Sequence, residues 1–143
     1  MSTDLTQSQK SIRSLLDELV AALYLRPWID EADDRHELKK EIVRRVKTGE
    51  SSLDPLLELL QHPDWAVRTD VVWMLGWIRN PDAIPPLMEV MQKDSRKVVR
   101  DNAALALERI GTPESVAAYQ EYRDATMKAM GEAKEQNGYN EAK

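Results

Sequence analysis

The chain repeats itself. Val67-Arg68, Leu75, Ile78 and Pro81-Asp82 line up with Val99-Arg100, Leu107, Ile110 and Pro113-Glu114 at an offset of 32 residues. The segment 53–61 lines up with 84–92 at an offset of 31, matching Pro55 to Pro86 and Gln61 to Gln92. Each unit reads as a helix, a proline turn and a second helix. Such a unit cannot bury its apolar face alone, so neighbouring units must stack and share one continuous core.

Helical periodicity runs through the rest of the chain. Ile12, Leu15, Leu16, Leu19, Val20 and Leu23 recur at three- and four-residue steps, predicting a helix over 8–25 that Pro27 stops. After an acidic connector at 30–34, Leu38, Ile42, Val43 and Val46 predict a second helix over 33–47, with Gly49 as its stop. A third, over 52–61, carries Pro55 in its first turn, where a missing N–H costs nothing. The fourth spans 64–79 with Asp64 as N-cap. The fifth starts near Asp82, with Pro85 and Pro86 in its first turn. The sixth covers 95–110 and stops at Gly111. The seventh begins at Thr112 and runs through Tyr122 toward Met130. The expected organisation is a helical cap at 1–32, repeats over 33–130 (33–61 degenerate, then 62–92 and 93–123, with the C-terminal helix), and a polar tail at 131–143 that frays.

Composition narrows the function classes. The 143 residues suit about one domain. No apolar run is long enough to cross a membrane, and residues 1–5 show no secretory signal. The absence of cysteine excludes disulfides, thiolate metal sites and thiol nucleophiles, and it suits a reducing, cytoplasmic setting. A net charge of −5 weighs against general nucleic-acid binding.

The repeat resembles HEAT repeats, in particular the short bacterial and archaeal HEAT-like type first noted in phycobilisome lyases. One copy is Asp64…Val67-Arg68…Leu75-Gly76…Ile78…Pro81-Asp82-Ala83-Ile84-Pro85-Pro86-Leu87. The other is Val99-Arg100…Ala103-Ala104…Leu107…Ile110-Gly111…Pro113-Glu114. The resemblance implies an all-α, right-handed α-α superhelix, a HEAT-like solenoid of about seven helices. It also implies that Arg68 and Arg100 occupy the repeat's arginine position, which this family uses for links between neighbouring units.

Reactive constellations are not evident. His36-Glu37 is a single pair, and the one other histidine, His62, is far away in sequence. Some HEAT-like enzymes hold a di-iron centre through several such pairs, so no metal site and no cofactor is expected here. No phosphate loop or nucleophile elbow is present. Arg35, Lys39, Lys40, Arg44, Arg45 and Lys47 make the second helix basic, and Glu41 can pair with Arg45 one turn on. This reads as a solvated face, since the acids at 30–34 offset its field.

Tryptophan use is unusual. There is no Phe, yet there are four Trp, of which Trp65, Trp73 and Trp77 fall at steps of eight and four on one side of a helix. The resemblance places Trp73 and Trp77 at outer, ordinarily polar positions, with Leu105 expected beside Trp73 on the next unit. Three readings follow. The strip is covered by Trp28 of the cap or by Met127 and Met130 of the C-terminal extension; it is a protein-binding surface or homodimer seam; or these are core residues. The second helices carry Glu58, Glu89 and Glu121 outward, and residues 51–95 hold three bases and seven acids. That face suits a basic peptide.

The function expected is therefore a non-catalytic, protein-binding adaptor, scaffold or assembly factor, with no membrane contact. The resemblance supplies an alternative, a subunit or chaperone of a bilin lyase acting on phycobiliproteins. A nucleic-acid-binding HEAT-like module is a further one.

Overall fold

A computed structural model describes the backbone of residues 9–25 and 32–141, with side chains over 9–24 and 35–133. Seven α-helices are present among them: α1 (Ile12–Leu25), α2 (Ala32–Lys47), α3 (Asp54–Leu59), α4 (Trp65–Ile78), α5 (Ile84–Lys93), α6 (Lys97–Ile110) and α7 (Pro113–Glu141). The described residues include no strand.

The boundaries follow local chemistry. The Asp64 carboxylate accepts from the Ala66 N–H at 2.8 Å and starts α4. Pro81 opens a single 3-10 turn (Pro81–Ala83), so α5 starts at Ile84, just later than the sequence suggests. Asn80 caps that turn by accepting from the Asp82 N–H at 2.9 Å. Thr112 and Ser115 cap α7 reciprocally: each side-chain oxygen accepts from the other's backbone N–H, at 3.0 and 3.1 Å. The seventh helix runs on to Glu141, well past the end expected near 130.

Packing follows the repeat. Helices α2, α4 and α6 lie side by side, with α4 between the other two. Helix α3 packs against α4, both α5 and α7 pack against α6, and α1 packs against α2. The shared core is aliphatic: Leu15, Ile42, Leu56, Leu75, Leu87 and Leu107 are fully buried. Each such side chain contributes about 1.5–3 kcal/mol of burial free energy. Met74 fills the space where α4 faces that core.

One glycine sets the distance between units. A Cβ on Gly76 would lie 2.9 Å from the Ala106 Cα and 3.0 Å from its Cβ, so α4 and α6 meet backbone to backbone there. At the ends of these helices, Gly111 adopts φ 78° without penalty, while Arg79, its repeat equivalent, is held at φ 60°.

Arginine links tie unit to unit. Arg68 donates to the Asp94 carboxylate at 2.8 and 3.1 Å and to the His62 carbonyl at 2.8 Å. Arg100 makes the equivalent backbone bond, donating to the Asp94 carbonyl at 2.7 Å. Both therefore serve as structural ties, each satisfying a carbonyl left open where the preceding helix ends. The loops repeat in kind: His62 Nδ1 accepts from the Asp64 N–H, and the Asp94 carboxylate accepts from the Arg96 N–H. Burial opposes ionisation of Asp94, but its hydrogen bond from Arg68 prevails and holds its pKa below the ordinary aspartate range.

Candidate functional site

The site begins with how α2 is fastened. Asp70 of α4 is buried, and two cations of α2 neutralise it: Arg35 donates to it directly and the Lys39 ammonium lies 3.6 Å away. Arg45, also buried, donates to Glu41 at 3.0 Å and to the Lys10 carbonyl. The basic helix is thus not the uniformly solvated face its composition suggests. Three of its six bases hold α2 in place because their long apolar stems cross the helix interface while their charged ends find partners.

The outer half of α2 faces α4 across an open groove of about 500 Å³. Helix α4 supplies Trp73 and Trp77, one turn apart; α2 supplies His36, Lys40, Val43, Arg44 and Lys47. Trp73 is half-buried against the core. Its ring meets His36 edge-on at 5.7 Å and Trp77 at 5.9 Å, and the Lys39 ammonium sits 4.7 Å from its centroid. Trp77 is 44% exposed, with the Arg109 guanidinium of α6 stacked 4.8 Å from its ring.

Among the described residues no carboxylate lines this groove. Glu37 and Glu41 of α2 stand on the flank of the groove, lining a neighbouring depression with Lys40 and Arg44. Glu41 accepts from Arg44 and Arg45, which together lower its pKa from 4.5 to about 2. Arg44 also donates to Glu50 at 3.0 Å, and Lys40 donates to Glu37 at 3.1 Å.

The expected tryptophan strip is therefore only partly assembled. Trp73 and Trp77 meet. Trp65 is 40% exposed beside Arg96, and Leu105 is 41% exposed on α6; neither lines the groove. Met127 and Met130 are 57% and 63% exposed, and it is His36 and Lys39 of α2 that cover part of Trp73. Trp28 lies outside the described residues.

The acidic residues of the second helices do not converge. Glu58 pairs with Arg13 of α1 at 3.2 Å, and Glu121 is exposed on α7. Glu89 borders a smaller cleft of about 220 Å³ between α3 and α5, with Leu57, Leu60, Pro86 and Val90. Sequence reasoning missed Asp94 and the pairing of Asp70 with α2. Asp70 stands two residues from Arg68, a spacing that points the two side chains to different sides of a helix. Among the described residues no group of three or more His, Cys, Asp or Glu side chains is placed to hold a metal ion.

Stacked helix pairs, tight proline turns and repeated arginine ties between units define an α-helical repeat protein. The model of the HEAT-repeat family matches residues 25–108 and, in an overlapping register, 53–126, and the chain belongs to that family. No curated protein and no solved structure matches it. HEAT repeats generally mediate protein–protein interaction. None of the described helices is long and apolar enough to cross a membrane.

Proposed function

We propose that this chain is a non-catalytic adaptor or assembly factor of the cytoplasm, and that it grips its partner protein through the groove between α2 and α4. The observation that carries this reading is the exposed Trp77 beside half-buried Trp73, forming an indole wall in an open groove with a polar rim. Tryptophan anchors of this kind concentrate binding energy in protein interfaces. Within the family, the Val-Arg and Pro-Asp/Glu positions at 32-residue spacing favour the short, phycobilisome-lyase type of repeat.

The test is Trp77→Glu. Because the ring is 44% exposed and Arg109 can pair with the new carboxylate, the variant should keep its helical circular dichroism and melt within a few degrees of the wild type. Peptides selected on the wild-type chain from a random library should then lose at least about tenfold in affinity for it. Full retention of binding by every selected peptide would place the interface elsewhere. Sedimentation of both forms checks whether the occupant is a second copy.

A further inference from the structure

From the charge and spacing of its walls, we infer that the groove takes an extended segment of a partner in which acidic and apolar residues alternate. This rests on the adaptor reading and names the chemistry of its partner.

The two walls differ in kind. On α2, Lys40, Arg44 and Lys47 form a row at i, i+4 and i+7, spanning about 10 Å of helix. On α4, the wall is the indole pair, with ring centroids 5.9 Å apart. An extended chain points successive side chains to opposite sides, and alternate residues are about 6.6–6.8 Å apart. Laid along the groove, it directs every second side chain to the cations and the others to the indoles. Acidic residues suit the first wall; aromatic or aliphatic residues suit the second.

Two of the three cations are available. Lys47 makes no ion pair among the described residues. The pair of Lys40 with Glu37 is exposed on both sides, the class of ion pair that exchanges at little cost. Arg44 is instead held by two bonds to partly buried Glu41 as well as by Glu50, so Lys40 and Lys47 do the binding. With no carboxylate among the described lining residues, a cationic or methylammonium ligand finds no counter-charge in them. Indoles beside cations also suit single-stranded nucleic acid. Here Glu37, Glu41 and Glu50 flank the cations, and the chain carries a net charge of −5. A long polyanion would run onto those acids, whereas a short segment with spaced carboxylates would not.

The probe is an acetylated, amidated heptapeptide, Gly-Glu-Phe-Glu-Leu-Glu-Gly, titrated into the full chain and followed by tryptophan emission. Its comparators are an isomer with the three Glu grouped together, the Lys-for-Glu peptide, and a short oligothymidylate. The alternating acidic peptide should bind at least about tenfold tighter than the Lys peptide and several-fold tighter than the grouped isomer, and should weaken with salt. These comparisons need no variant. Trp77→Glu and the double variant Lys40→Glu/Lys47→Glu should each cost the probe about tenfold or more, with circular dichroism confirming the fold.

Equal binding by the grouped isomer or the Lys peptide, or preference for the oligothymidylate, overturns the inference. So does unchanged affinity in the folded double variant. Selected peptides that need Trp77 but carry no acids would overturn this inference and leave the adaptor reading intact. If no peptide of any class needs Trp77, both fall.

Discussion

The two complete repeat units, α4–α5 and α6–α7, are copies that have diverged at identifiable positions. What binds unit to unit is shared: Arg68 and Arg100 close equivalent carbonyls, those of His62 and Asp94, and the side chains of these two residues make equivalent loop bonds. What differs lies largely on the flanks of the first helix. Trp73, Trp77, Asp70, Gly76 and Arg79 stand where the second unit has Leu105, Arg109, Asn102, Glu108 and Gly111. Asp70 fastens α2 and the indoles wall the groove, so α4 is adapted on one flank to α2 and on the other to α6. The lesson is that a repeat's ties keep its stacking, while its flanking positions are free to acquire a site.

That comparison can be broken most sharply at Gly76. Gly76→Ala places a Cβ 2.9 Å from the Ala106 backbone, where neither helix can yield cheaply, and should destabilise by about 2–3 kcal/mol. Glu108→Ala, at the equivalent exposed position, should change stability by less than about 0.5 kcal/mol. Urea unfolding of both variants measures the contrast. Equal effects would mean that α4 and α6 are not in close contact.

Asp70→Asn converts the first unit to the second at the position that fastens α2. It leaves Arg35 and Lys39 without a buried counter-charge and should cost about 2 kcal/mol. Hydrogen exchange should quicken in α2 more than in α6, since the lost ties belong to α2 alone.

Arg79→Gly makes the same exchange at the C-cap. It relieves a left-handed conformation at φ 60° and should stabilise by about 0.5–1 kcal/mol, read as a rise in Tm. The gain falls short if the Arg79 guanidinium, which lies over Gly111, contributes packing of its own.

The smallest effect concerns pH. Glu41 has a folded pKa of about 2 against an ordinary 4.5, so its folded value is the depressed one. Its contribution is therefore complete above about pH 4.5 and is lost as pH falls toward 2. Glu41→Gln should flatten the acid limb of a Tm-against-pH profile over that range. An unchanged limb would show that Arg44 and Arg45 do not act through Glu41.

Much of the fold was legible because its signals are local and periodic. The 32-residue offset, the capping Asp64, the stop at Gly111 and the prolines opening helices each act within a few residues. The exact start of α5 was not, because a 3-10 turn and an α-turn share the same proline chemistry. Neither was the run of α7 to Glu141, where polar composition argued for an earlier end.

Of the candidate site, Trp73 and Trp77 were legible as aromatics one turn apart on one side of a helix, and only the family resemblance placed them outward. Their partners were not. Lys40, Arg44 and Lys47 could be read as a basic helix, but not as the second wall of the groove those tryptophans occupy. Trp65 and Leu105 share the helical phase yet stand apart from that groove, since phase gives a direction around one helix and not the neighbour found there.

The sequence by itself determined that this is an all-helical repeat with an aliphatic core and two tryptophans one turn apart on one helix. Periodicity and capping decide those features over distances of a turn or two. Only the tertiary structure decided which bases are structural and which line the groove. Arg35, Lys39 and Arg45 are spent on Asp70, Glu41 and the Lys10 carbonyl, whereas Lys40, Arg44 and Lys47 face the indoles. That division depends on how α2 is rotated against α4, and the rotation is set by a buried charge 35 residues from the arginine that neutralises it.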